Sequence, residues 1–150
     1  MPGFIRPNRS GTGFTDSASG APFVPMGANY FDPKTGWAPK IWAQYDHERV
    51  TRHLGQMSEA GFNTIRVFLD VMTLNPQKGQ YSEVGFAKID DMVHVASQNG
   101  IRIIFSGPNF WHGMPEHRRG DMYADPAQID QICALWQVLA RRYGHEPTIM

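Results

Sequence analysis

Short apolar runs and longer amphipathic stretches alternate along the chain, and their two periods separate cleanly. From Asn63 to Asp70, Ile65, Val67 and Leu69 alternate with Thr64, Arg66 and Phe68, the period of a strand with one face in a core. Ile101 to Ser106 is a second apolar strand, Met26 to Tyr30 a shorter one, and Pro147 to Met150 reads as the start of another. Val50, Leu54 and Met57 recur at helical spacing behind an Asp46 cap, and Phe86, Ile89, Val93 and Ala96 mark a second helix. Asp125-Pro126 opens a third, whose inner face is expected to carry Ile129, Ile132, Cys133, Trp136, Leu139 and Tyr143. Gly61, Gly100 and Gly144 close the three helices.

Strands alternating with helices of this length predict an α/β fold of parallel βα units with right-handed crossovers. The connections from helix to strand are short. Those from strand to helix are long and hold Trp37, Trp42 and Trp111, on the side where α/β folds bind ligands. Neither G-x-G-x-x-G nor G-K-[ST] follows a strand, which speaks against a dinucleotide or phosphate cradle. The pattern suits the N-terminal three βα units of a (β/α)8 TIM barrel, stopping before strand four is complete, since such barrels run to about 250 residues. Residues 1–20, rich in Gly, Ser, Thr, Pro and Asn, are expected to form an arm with at most a short strand near Gly13 to Thr15; residues 21–150 form the partial barrel.

Arg66 is the one awkward residue in the central apolar run. A guanidinium stays charged inside a protein and is costly to bury unpaired. Either it reaches water from an edge strand, or it faces a site where carboxylates meet it.

Composition removes several function classes. Fourteen basic and 14 acidic side chains balance over 150 residues, with no basic stripe for nucleic acid. The single cysteine, Cys133, excludes an internal disulfide framework and a cysteine-based zinc cluster. No apolar run approaches the roughly 18 residues of a membrane span. Residues 1–20 lack the apolar core of a signal peptide, which points to the cytoplasm if the N-terminus is complete.

Phe23-x-Pro25-x-Gly27-x-Asn29-Tyr30, the Trp-containing loop after it, Met57-x-x-Ala60-Gly61-Phe62-Asn63-Thr64-Ile65-Arg66, Asn99-Gly100-Ile101-Arg102-Ile103-Ile104 and Arg142-Tyr143-Gly144 with Pro147 together resemble the N-terminal part of glycoside hydrolase family 5-type enzymes. These retaining (β/α)8 glycosidases include cellulases and β-mannanases. The resemblance covers about residues 21–150, and its most specific piece is the Gly-x-Asn-x-Ile-Arg strand. It implies hydrolysis of β-linked glucan or mannan without a cofactor. It also implies that Arg66 hydrogen-bonds the nucleophilic glutamate, where a positive charge keeps a carboxylate ionised. Retaining hydrolysis needs two carboxyls about 5–5.5 Å apart, one acid/base and one nucleophile. The family places the first in an Asn-Glu pair ending strand four and the second on strand seven. No Asn-Glu occurs in this sequence, so both glutamates are expected beyond Met150.

Substrate contacts are expected from Asn29 and Tyr30 ending the first core strand, from Trp37 and Trp42 in the loop after it, from Asp70, and from Asn109, Trp111 and His112 after the third. Indole faces stack on pyranose rings, and amides and imidazoles bond sugar hydroxyls. A loop anchor packed on a neighbouring helix is an equal reading for Trp111, and of Trp37 and Trp42 one is expected to pack as a lid and the other to form a subsite. Glu116 and Asp121 lie among Arg118 and Arg119, where local ion pairing accounts for them. His112, His117 and Asp121 lack regular metal-ligand spacing, and no metal site is expected. Arg102, at a strand start, belongs to the stability face. A non-catalytic carbohydrate-binding remnant, or another barrel chemistry such as a sugar isomerase or metal-dependent hydrolase, remains open beside the glycosidase reading.

Overall fold

The alternation between Asn63 and Asp70 becomes β5 (Thr64–Asp70), the middle strand of a parallel sheet. β4 (Gly27–Asn29) lies on one side of it and β6 (Arg102–Asn109) on the other, with Asn29 opposite Arg66 and Arg66 opposite Ile104. A parallel bridge from Ile103 to Ile149 opens a fourth strand position beyond β6, where Ile103 N–H meets Thr148 O at 2.8 Å. The computed structural model describes residues 3–36, 40–109, 116–121 and 123–150, with only the backbone of Pro108 and Asn109.

Three long helices cover one face: α2 (His47–Glu59), α4 (Glu83–Gln98) and α5 (Pro126–Tyr143). Each starts on a side-chain cap, Asp46 to Arg49 N–H, Ser82 to Gly85 N–H and Asp125 to Ala127 N–H. Two end on left-handed glycines. At Gly61 (φ +87°) the Phe62 N–H returns to Met57 O, and at Gly100 (φ +66°) the Ile101 N–H returns to Ala96 O, which sends the chain straight into the next strand. Short helices α1 (Lys40–Ala43) and α3 (Val71–Leu74) interrupt the loops after β4 and β5.

Ile65, Val67 and Leu69 of β5 are fully buried in one cluster with Leu54, Phe86 and Leu135 from the helices. Burial of each such side chain contributes about 1.5–3 kcal/mol, so the alternation fixes which face of β5 meets the helices.

Two elements depart from the sequence expectation. The N-terminal segment is an antiparallel meander of β1 (Ile5–Pro7), β2 (Phe14–Asp16) and β3 (Pro22–Phe23), not a lone arm. β2 falls where the short strand near Gly13 to Thr15 is expected, but its two partners are too short to show a period; Asp16 then ties the meander to Arg102 at the start of β6. On α5, Leu135, Leu139 and Tyr143 are buried, but Ile129, Cys133 and Trp136 are exposed rather than core. The helix carries two apolar stripes, and the sheet takes only one. The other continues into a groove of about 220 Å³ lined by Phe105, Trp136, Ala140 and Ile149.

Candidate active site

Because Ile65, Val67 and Leu69 face the helices, Thr64, Arg66, Phe68 and Asp70 belong to the opposite face of β5. Arg66 is exposed there although its strand is central, so the edge-strand explanation does not hold. Its Nη2 donates to Ser106 Oγ at 2.6 Å and its Nη1 to Asn29 Oδ1 at 3.5 Å. The guanidinium carbon stands 4.5 Å from the Phe68 ring centroid, in cation–π range. The cation is thus held from β4, from β6 and from its own strand. Among the described residues no carboxylate pairs with it.

The two ends of this face differ. At the N-terminal end Arg102 donates to Asp16 Oδ2 at 2.8 Å and to Pro147 O at 2.6 Å, a structural closure. At the C-terminal end Asp70, 4% exposed, caps α3 by accepting from Thr73 N–H at 3.0 Å and Thr73 Oγ1 at 2.9 Å.

Tyr30 and Trp42 lie in the core rather than on the open face. Tyr30 is packed toward α2, its hydroxyl 3.1 Å from His53 Nδ1, and burial drives its pKa up. Trp42 is 1% exposed, stacks on Tyr45 at 6.1 Å and donates its indole N–H to Phe68 O at 2.7 Å. Trp37, Trp111, His112 and the side chain of Asn109 lie outside the described residues. Of the expected contact residues that are described, Asn29 is the one that the structure brings to Arg66.

The carboxylates on the helices are engaged elsewhere. Asp90 binds Arg142 and Tyr143; burial opposes its ionisation, and these bonds outweigh it and lower its pKa. Asp91 takes the Tyr45 hydroxyl at 2.7 Å and His47 Nδ1 at 2.9 Å. The expected local pairing of Glu116 and Asp121 with their arginines is not what forms. Arg118 turns inward, 1% exposed, to Asn75 Oδ1 at 2.8 Å and Gln131 O at 3.1 Å, while Asp121 accepts the backbone N–H groups of Tyr123 and Ala124. Burial pushes the Arg118 pKa down, Tyr81 opposing it, and the His117 ring beside it is lowered by burial and by Arg118.

Two hydrogen-bonding partners are not evident from sequence, Ser106 in the site and Asn75 beneath Arg118 outside it. Ser106 sits in a Ser-Gly-Pro break at the strand end, and Asn75, before a proline, looks like an ordinary turn residue. Only the register between β5 and β6 gives Ser106 its role. Among the described residues no group of three or more His, Cys, Asp or Glu is placed to hold a metal, and no helix is long and apolar enough to cross a membrane.

A model of the cellulase family, glycosyl hydrolase family 5, matches residues 17–150. Cellodextrinase A of Ruminococcus flavefaciens is 25% identical over 121 residues, which are 74% of this chain and 34% of that protein. An exo-β-1,4-mannosidase from Opitutaceae bacterium strain TAV5 superposes with a TM-score of 0.73 at 24% identity, over 87% of this chain and 24% of its own. A family 5 mannosidase from Rhizomucor miehei gives 0.70 at 20% identity, over 98% of this chain and 47% of its own. At these identities the solved structures speak for the fold, which is of the TIM-barrel class. The chain spans about a third of the curated relative it matches.

Proposed function

The chain belongs to glycosyl hydrolase family 5, and from that premise we propose that it is the N-terminal three βα units of a retaining β-glycosidase acting on glucan or mannan. The observation that carries this reading is Arg66. A cation held from three sides, exposed on the open face of a central strand and without a carboxylate partner among the described residues, is built to receive one. A nucleophilic carboxylate beside it stays ionised while a second carboxyl keeps its proton to protonate the leaving group. In this reading both glutamates come from chain following Met150, which agrees with the partial coverage of the relatives. Asn29, Asn109 at the end of β6 and, beyond it in sequence, Trp111 and His112 supply sugar contacts in this reading; the substrate is an oligo- or polysaccharide. Nothing in the chemistry calls for a cofactor.

The test is to read the codons after Met150 and to assay the longest encoded polypeptide on cello- and manno-oligosaccharides. An Asn-Glu pair soon after Met150, with hydrolysis that retains anomeric configuration, is expected. A stop codon there, with sugar binding but no hydrolysis, favours a carbohydrate-binding module instead.

A further inference from the structure

We propose that Ser106 is a positioning residue of this site, holding the Arg66 guanidinium at the mouth of the sheet where the catalytic carboxylate meets it; this rests on the glycosidase reading above. In register Arg66 lies opposite Ile104, yet its guanidinium bonds Ser106, which lies opposite Phe68. The head group has therefore leaned two residues, about 6.6 Å, toward the C-terminal ends of the strands. Arginine has a long flexible side chain and does not hold such a pose unaided.

The three contacts are not equal. The bond to Asn29, at 3.5 Å, is at the outer limit for a hydrogen bond, and the Phe68 ring, 4.5 Å from the guanidinium carbon, attracts the cation without fixing its direction. The 2.6 Å bond to Ser106 Oγ is what aims it. The backbone next to Ser106 is shaped accordingly. Phe68 pairs with Ser106 but Asp70 with Asn109, so β6 carries one residue more than β5 here, and Gly107 takes φ +109° in the bulge. Bulges at strand ends re-aim side chains. The serine accepts from Arg66, and its own proton has no acceptor among the described residues.

A positioning role and a merely structural one separate by kinetics. In the intact glycosidase, Ser106→Ala is expected to lower kcat about tenfold while KM moves less than about twofold, because the bond acts on the carboxylate through Arg66 and not on the bound sugar. With the cation displaced, the nucleophile ionises less readily, so the acid limb of the kcat/KM profile moves to higher pH. Ser106→Thr, which keeps the hydroxyl, is expected to restore both. Unchanged kinetics in Ser106→Ala, or a rise in KM alone, overturns the proposal. Should the intact polypeptide cleave no β-glycoside, the function reading fails, and the Ser106 proposal is then judged by nitrogen-15 NMR of the Arg66 guanidinium. Hindered rotation in the wild type that is lost in Ser106→Ala supports it; identical signals in both overturn it.

Discussion

Arg102 Nη2 and Asp16 Oδ2 meet at 2.8 Å across 86 positions of sequence, and this ion pair docks the N-terminal meander against the first residue of β6. Asp16 does more than neutralise a charge. It also accepts from the backbone N–H groups of Gly3, Ala18 and Ser19, and those bonds hold its carboxyl below the ordinary carboxylate range. Asp16→Ala is therefore expected to lower the urea midpoint more than Arg102→Met does, since only the first leaves a poorly solvated cation unpaired and the turn uncapped. Adding Arg102→Met to Asp16→Ala is expected to recover part of the loss. Limited proteolysis within residues 3–23 is the second readout, faster in Asp16→Ala.

Trp42 anchors the other side of the sheet. Its indole N–H bonds Phe68 O, and its ring stacks on Tyr45 within the core. Trp42→Phe keeps an aromatic ring and loses the hydrogen bond, for an expected cost of about 1–3 kcal/mol because Phe68 O then lacks that donor. Trp42→Ala opens a cavity as well and is expected to cost about 3–5 kcal/mol. Equilibrium unfolding of both variants measures the difference.

Much of this architecture is legible in the sequence. Ile65, Val67 and Leu69 announce a buried face by period 2 alone, and Asp46, Gly61 and Asp125 mark helix ends by local chemistry that needs no tertiary context. Of the meander only the strand near Gly13 to Thr15 is legible, because its partners are too short to show a period and its docking rests on a long-range pair. Cys133 and Trp136 mislead for a different reason: periodicity identifies an apolar stripe but not whether anything covers it. In the site, Arg66 stands out as a charge among aliphatics. Ser106 does not, since its partner is fixed by a register and a bulge.

The uncovered stripe on α5 has a solution consequence. Ile129, Cys133 and Trp136 are exposed on one helix, and β4 leaves one edge of the sheet unpaired among the described strands. The 150-residue polypeptide expressed alone is expected to self-associate and to hydrolyse no β-glucan or β-mannan. Trp136→Glu is expected to shift light-scattering mass toward the monomer. Cys133 should react with a thiol reagent without denaturant.

His47 and Asp91 tie α2 to α4, with Tyr45 donating to the same carboxylate. The hydrogen bond to Asp91 raises the His47 pKa above 6.5, so the stability it contributes is complete below about pH 6.5 and is lost as pH rises through the raised value. Asp91 has the opposite sign: burial opposes its ionisation, its bonds to Tyr45 and His47 prevail, and its share is lost only as pH falls below the ordinary carboxylate range. Wild type and His47→Gln are therefore expected to differ in urea midpoint at pH 5.5 and to converge at pH 8.5. An equal gap at both values would show that the contact is packing and not charge.

Arg66 itself gives the sharpest test of the active-site reading. Its guanidinium is exposed, within 4.5 Å of the Phe68 ring and held by Ser106 and Asn29, so removing it disturbs little of the core formed by the opposite face of β5. Arg66→Met in the full encoded polypeptide is expected to leave the unfolding midpoint nearly unchanged. The same substitution is expected to cut kcat by about 10²–10³, the loss typical for one preorganised electrostatic donor. Arg66→Lys keeps the charge but not the planar fork that reaches two neighbouring strands at once, and is expected to recover only part of the rate. Full activity in either variant would place the nucleophile's support elsewhere. A collapse of stability in Arg66→Met would instead make the residue a packing element of the sheet.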